Sequence, residues 1–426
     1  ANQTPNPLDM IYLNLYLNAF KKNSSVKPYL SELEDKVYKS GFDEGFIEIK
    51  SVLVNNKEVL FNQSETLLEI SLQQPMEVDE SIEITMEFYG KVPKIAHRIG
   101  GNSRALWMGN FLPTLAVYDR NGWNKNPYYP VDDPFYQDIS NYSVNITTPK
   151  DYVVVTTGKE EVTETEKEKI TTVNAQMVRD FAIAISNHFE KASLEIEDGP
   201  NINLYYTSDR IDTEKILNKA EHSIKYYNNL LGSYPYSQLD IIEGELYSST
   251  STEYSTVILI DSKNLKNAAS ASVSIAHGIG HQWFYIIIGS NQVKEPWLDE
   301  AMVMYLQENI LYSEEEVEDR MDRERRQLID ALESMREISL YSDLSTFSNW
   351  ESYYNIHYNR GKLMVYALEK TMGKEKFQQF LKSYYEKYAF QNVDAQGFID
   401  TAEEIYGSSL RLFFHQWMKA ERIPRF

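Results

Sequence analysis

The chain has 426 residues, of which 42% are hydrophobic and 25% charged, a normal globular mixture long enough for two or three domains. Lys and Arg number 42 against 63 Asp and Glu, a net charge of −21, and a surface that acidic repels phosphate backbones, which argues against nucleic-acid partners. There is no cysteine, so thiol catalysis, thiolate metal sites and disulfides are excluded together.

No apolar run reaches membrane-spanning length. The chain opens Ala-Asn-Gln-Thr-Pro, without Met, a basic stretch or an apolar leader, as expected of a processed chain or an excised piece. A cysteine-free chain suits an extracellular or cell-surface setting, with the cytoplasm as the alternative.

The first 195 residues read as a β-rich domain. Phe46–Ile49 and Ser51–Val54 lead through an Asn55-Asn56-Lys57 turn into Val59–Phe61. Leu67–Leu72 and Ile82–Phe88 alternate with period two, and Tyr142–Ile146 and Tyr152–Thr156 continue the series. The charged stretch Lys159–Lys169 predicts a solvated hairpin tip. The Asp198-Gly199-Pro200 break marks a change of texture, and residues 196–426 form a second, mainly helical domain with a small sheet. Helices are expected over Thr213–Leu231, Ser270–Ile288, Leu298–Tyr312, Glu314–Glu337, Gly361–Met372 and Lys374–Tyr388, with strands at Leu239–Ile242 and Val257–Ile260. Acidic and basic residues alternate at helical spacing in Glu314–Arg326, which predicts an exposed helix laced by its own ion pairs.

Histidine is scarce, seven in all, yet His277 and His281 stand four apart inside a helical segment. Residues i and i+4 project from one helix face, where two imidazoles can share a tetrahedral Zn²⁺. Taken alone the pair could equally be half-buried core histidines. Eighteen residues on, Trp297-Leu298-Asp299-Glu300 opens a second helix, and a two-helix hairpin can return the Glu300 carboxylate as third ligand to a single zinc ion. Asp299 and Gln282, flanking the ligands, are candidates to orient them.

These residues resemble the zinc signature of the aminopeptidase N family of gluzincin metallopeptidases. His277-Gly278-Ile279-Gly280-His281-Gln282-Trp283-Phe284, followed by Pro296-Trp297-Leu298-Asp299-Glu300, is similar to that family's His-Glu-x-x-His, eighteen residues, Glu. The resemblance implies a saddle-like β domain followed by a thermolysin-like catalytic domain, a multidomain α+β protein that removes N-terminal residues from peptides with a free N-terminus. Glu253, in Thr250-Ser251-Thr252-Glu253-Tyr254, stands twenty-four residues before His277, where the family binds the substrate's α-amine. Tyr358, in Tyr358-Asn359-Arg360-Gly361-Lys362, matches the downstream tyrosine that steadies the tetrahedral intermediate, although Tyr353 and Tyr354 compete for that role. Gly122-Trp123 through Asp133-Pro134-Phe135-Tyr136 resembles the family's β domain. Phe413–Trp417 resembles the end of its catalytic domain, so the family's further helical domain is expected to be absent.

The sequence departs from the family at Gly278, where the pattern carries the glutamate that deprotonates the attacking water. General acid–base catalysis is worth ~10²–10⁴-fold, so hydrolysis is expected to be nearly abolished while metal binding survives. Two origins stay open: a base removed from an active enzyme, or a naturally inactive peptide-binding or sensory homologue. The family's glycine-bearing motif is also replaced, by Thr250-Ser251-Thr252.

Overall fold

The computed structural model describes residues 1–246, 251–332, 338–419 and 423–424. Up to Ser186 the described chain is almost wholly strand and loop, built as small antiparallel sheets. One orders its strands Phe61–Ser64, Leu67–Met76, Leu8–Asn14, Thr114–Leu115; another orders Val153–Thr156, Ala182–Ser186, Ala105–Gly109, Ile99–Gly101. Alternation does the sorting. In Leu67–Met76, Leu68 and Ile70 are fully buried in one core with Ile11, Leu13 and Phe20, Gln73, Gln74 and Pro75 face water, and Met76 is buried again. The charged stretch forms the expected hairpin: Lys159–Glu164 pairs antiparallel with Glu168–Val178, and its outer strand is largely exposed. The strand Leu8–Asn14 carries no clean alternation and is not foreseen by the sequence pattern.

The second region is built on a five-stranded sheet with strand order Glu190–Glu195, Asn201–Tyr206, Gln238–Gly244, Val257–Asp261, Ser251–Tyr254. Glu190–Glu195 pairs with Asn201–Tyr206 around the Asp198-Gly199-Pro200 turn, so a division at 195/196 cuts through a hairpin. Those three residues punctuate a chain reversal within one sheet; the β texture of Glu190–Glu195 disguised its partnership with the helical region.

One face of this sheet carries the helix Thr213–Leu230 and the helix that holds both histidines, Ala268–Gly280. Asn267 caps the latter by accepting from Ser270 N–H, and Ala271, Ile275 and Ile279 bury its inner face against Ile241, Ile258 and Ile260. Burying each isoleucine contributes about 1.5–3 kcal/mol.

This helix stops at Gly280, eight residues short of the end read from the sequence. Two glycines lower its propensity, and the β-branched run Ile286–Ile288 turns into a short strand, Ile288–Gly289, parallel to Gln391–Asn392. Gly280 is required by close approach: a Cβ there would lie 2.6 Å from Tyr227 Oη and 2.8 Å from Val303 Cγ1.

Further helices follow at Trp297–Leu311, Glu314–Leu332, Gly361–Met372, Lys374–Tyr388, Ala395–Tyr406 and Arg411–Lys419. Residues 333–337, the expected end of the acidic–basic helix, lie outside the described residues, as does Thr250. That helix makes most of its ion pairs with neighbours rather than within itself. Arg320 pairs with Glu308 (2.7 Å), Lys374 with Glu314 (2.5 Å), and Lys370 with Glu318. Among the described residues no helix is long and apolar enough to cross a membrane.

Candidate metal centre

The histidine helix and the Trp297–Leu311 helix cross so that His277, His281 and Glu300 converge. Their candidate ligand atoms all lie within 4.8 Å of one another. The two Nε2 atoms are 3.1 Å apart, and Glu300 Oε2 is 3.7 Å from each. Behind them, His281 Nδ1 lies 2.8 Å from Asp299 Oδ1, whose other oxygen accepts from Gln292 Nε2 at 2.5 Å. A carboxylate only accepts, so Nδ1 carries the hydrogen and Nε2 is the ring atom turned to the site. Neighbouring positions on a helix point about 100° apart. Asp299 and Glu300 use that angle to address opposite ends of one imidazole.

The donor set fits a zinc ion. Two imidazole nitrogens and a carboxylate oxygen match the ligand preference of Zn²⁺. Glu300 Oε2 is fully buried without a hydrogen-bond partner among the described residues, an arrangement costly for a carboxylate unless a cation answers it. Burial pushes the Glu300 carboxyl up, opposed by His281. His281 is held well above the ordinary imidazole value: burial alone would lower it, and Asp299 and Glu300 override that. His277 is pushed down by burial and by His281.

Tyr358 sits on a π-helical stretch, Tyr354–Arg360, that leads directly into Gly361–Met372. Such widened turns recur at functional sites because they re-aim a side chain. Its ring lies nearly parallel to that of His277, with centroids 6.3 Å apart, and its hydroxyl donates to Asp132 Oδ1 at 2.9 Å. Tyr353 donates to the other oxygen of the same carboxylate, and Tyr354 stacks on Tyr358 at 5.0 Å. Burial first, then Asp132 and Glu300, raise the Tyr358 phenol far above its usual value.

Asp132 comes from the N-terminal region in a left-handed backbone conformation (φ +53°), and its carboxylate comes within 4.8 Å of Glu300's. The sequence gives it no role, because an Asp-Asp pair before proline carries no spacing signal towards Tyr353 and Tyr358, 221 and 226 positions away. Asp133 itself pairs with Arg98.

Glu253 lies on the edge strand Ser251–Tyr254, buried, with Oε1 lacking a hydrogen-bond partner among the described residues. Burial raises its carboxyl above the ordinary range, opposed by His281. Gln282 plays a different part from the one its position suggests. It donates to Tyr254 O (3.1 Å) and accepts from Thr256 N–H (3.1 Å) and Tyr234 Oη–H (3.2 Å), tying the edge hairpin to the end of the histidine helix.

Comparison with known proteins agrees with this architecture. Over 326 residues, 72% of its length, the chain is 24% identical to human endoplasmic reticulum aminopeptidase 2, covering 33% of that protein. It is 26% identical over 206 residues to aminopeptidase M1-A of Oryza sativa subsp. japonica (45% of this chain, 23% of the relative). It is 25% identical over 295 residues to leucine aminopeptidase 2 of Neurospora crassa (63% of this chain, 42% of the relative). The chain thus spans less than half the length of these curated relatives. Its fold is similar to an M1 zinc metallopeptidase from Deinococcus radiodurans, with TM-score 0.69 at 16% identity over 99% of this chain and 89% of that one. Residues 216–417, just under half of the chain, match the Peptidase family M1 domain, which supports the resemblance to the aminopeptidase N family of zinc metallopeptidases.

Proposed function

We propose that the chain is a zinc-dependent aminopeptidase-type metallopeptidase that takes peptides by a free N-terminus and hydrolyses them slowly. The observation that carries this reading is the convergence of His277, His281 and Glu300 around a buried, unanswered carboxylate oxygen. Bound there, one zinc ion would polarise the first peptide carbonyl and acidify water. The chain's own groups do the rest. Asp299 fixes the tautomer and tilt of His281. Glu253 faces the site as a buried carboxylate able to hold an α-ammonium. Tyr358 donates to Asp132 at rest and would turn its hydrogen bond to the developing oxyanion. Position 278 offers no proton carrier on the helix, the expected cause of slow turnover. The absence of cysteine supports an extracellular or cell-surface setting.

A second reading, a naturally inactive peptide-binding homologue that keeps the metal, is favoured by Ile258. A Cβ at 278 would lie 2.8 Å from Ile258 Cγ2, so a larger residue there requires Ile258 to move. The test compares Gly278→Glu with Gly278→Glu combined with Ile258→Ala, assaying aminoacyl reporter substrates and quantifying zinc in each. On the enzyme reading the paired variant gains up to about 10²–10⁴-fold in turnover and the single variant gains less. No gain in either with zinc bound supports the binding protein; absence of zinc ends both readings.

A further inference from the structure

The strand Ile84–Lys91 ends a three-stranded sheet whose order is Lys57–Glu58, Phe46–Val54, Ile84–Lys91. It pairs with Phe46–Val54 along one side, and among the described residues no backbone hydrogen bond is made along the other. Asn55 N–H donates to Glu83 O at 2.9 Å, so alternate residues from Glu83 onwards turn their backbone groups towards Phe46–Val54. Val52, opposite Met86, faces the far strand instead: its carbonyl accepts from Val59 N–H. Phe88 and Gly90 therefore aim their N–H and C=O groups outward, beyond the sheet.

Solvent-facing edges are commonly blunted by charge, as Lys159–Glu164 and Glu190–Glu195 are. This edge carries two aromatic rings. Phe88 lies opposite the buried Ile49, on the face where Ile84 and Met86 pack against the N-terminal core, yet it is 41% exposed and outside that core. Tyr89, on the other face, touches Phe46 with ring centroids 5.9 Å apart and is 59% exposed. Glu87 and Lys91 flank it on its own face, opposite in charge; Lys91 also meets Asp43.

We propose that this edge is a self-association surface, pairing antiparallel with the same strand of a second copy about a two-fold axis through Tyr89. Centred there, the pair sets Glu87 against the second copy's Lys91, and Lys91 against its Glu87, on either side of the two tyrosines. Phe88 falls opposite the second copy's Gly90, whose missing side chain leaves room for the ring. The outward N–H and C=O groups of Phe88 and Gly90 are then the ones that meet across the axis. Centring on Phe88 or on Gly90 keeps the hydrogen-bonding phase but leaves Glu87 opposite Tyr89 or Pro93, and neither charge is answered. A net charge of −21 repels two copies in general, so a locally neutral edge is where they meet at least electrostatic cost.

The chain lacks cysteine, so introduced cysteines report the register directly. Residues opposed at a non-hydrogen-bonded position have Cα atoms about 4.5 Å apart, within disulfide reach. Tyr89→Cys is expected to give mostly covalent dimer on mild oxidation of the full chain. Glu87→Cys alone sets its two copies about 13–14 Å apart and should stay monomeric, while Glu87→Cys with Lys91→Cys should link again. Sedimentation equilibrium reads the same contact without cysteines, and thermal melting checks the folding of each variant. The mass of the parent should rise with concentration towards twice the monomer. Glu87→Lys opposes like charges at both ends of the contact and should raise the dimer Kd about tenfold or more; adding Lys91→Glu should restore it. A parent that stays monomeric throughout the micromolar range overturns the proposal. So does a dimer that Glu87→Lys leaves unchanged, or a Glu87→Cys chain that links as readily as Tyr89→Cys, since either puts the contact elsewhere.

Discussion

The imidazole of His281 is addressed from both ends, and that is where a single residue bears most on the metal. Asp299 accepts from its Nδ1–H and is itself held by Gln292, so the Nε2 turned to the site has a fixed direction. Removing such a partner typically costs 10–100-fold in metal affinity. Asp299→Ala is accordingly expected to weaken zinc binding by about that factor, measured by competition with a chromogenic chelator, with the fold intact by circular dichroism. Tyr358 poses a related question of direction, because Asp132 takes its proton at rest. Asp132→Asn keeps the side-chain shape but weakens the grip on both tyrosines. If Tyr358 serves the oxyanion, kcat on an aminoacyl anilide changes with KM little altered; an unchanged kcat would leave Tyr358 a packing residue.

Helix contacts set the frame on which these side chains sit, and two of them can be tested. Gly280 lets the histidine helix approach Tyr227 and Val303 more closely than any side chain permits. Gly280→Ala gains helix propensity of about 1 kcal/mol, yet overpacking costs about 1–3 kcal/mol, so a net loss is expected in urea denaturation. Around Lys362 the helices are joined by charge. Its ammonium, almost fully buried, lies 3.0 Å from Glu308 and 2.5 Å from Glu324, and Arg320 meets Glu308 from the other side. Lys362→Met leaves Glu308 buried with one cation fewer and is expected to cost about 3–5 kcal/mol in the same assay. These pairs link separate helices. The alternating charges of Glu314–Arg326 suggested pairs along one helix; charge pattern signals that partners exist, but packing decides which helix carries them.

Across the whole molecule, the N-terminal region reaches into the mainly helical region at defined points. Arg179 donates to Gln137 O and Asn392 Oδ1 (2.6 Å each), to Ile286 O (3.1 Å) and to Gln391 O (3.2 Å), while Asp180 accepts from Tyr285 Oη–H at 2.6 Å and Ser255 N–H at 2.7 Å. Tyr285 adopts φ +101°, a conformation costly for any side chain, in the loop that follows His281. The loop that follows the histidine helix is thus held by Arg179 and Asp180 of the N-terminal region.

Acid stability belongs to this scale too. Burial pushes His97 and His357 down to about 3: His97 ring Nε2 is 2.8 Å from Pro28 O, and His357 lies against Phe347 and Tyr353. Both imidazoles are neutral when folded, while the unfolded chain protonates near 6.5. Above that value neither contributes. Below it the unfolded state binds more protons, so stability falls by about 1.4 kcal/mol per pH unit for each histidine as pH drops towards 3. His357→Phe, matched to its aromatic surroundings, should therefore gain about 2 kcal/mol on the parent at pH 5 relative to pH 7.5, read from urea midpoints at the two values.

The histidine pair, the glutamate eighteen residues on and the β-then-α layout were legible in the sequence because each rests on short-range geometry. Helical periodicity puts positions 277 and 281 on one face whatever surrounds them, and strands announce themselves by alternation. The end of the histidine helix at Gly280, the sheet that absorbs Glu190–Glu195, the reach of Asp132 into the site and the seating of Glu253 and Ile258 against Gly278 were decided only by tertiary structure. Each depends on which side chains meet after distant segments have folded together, and that information lies in packing between elements rather than in the pattern along any one of them.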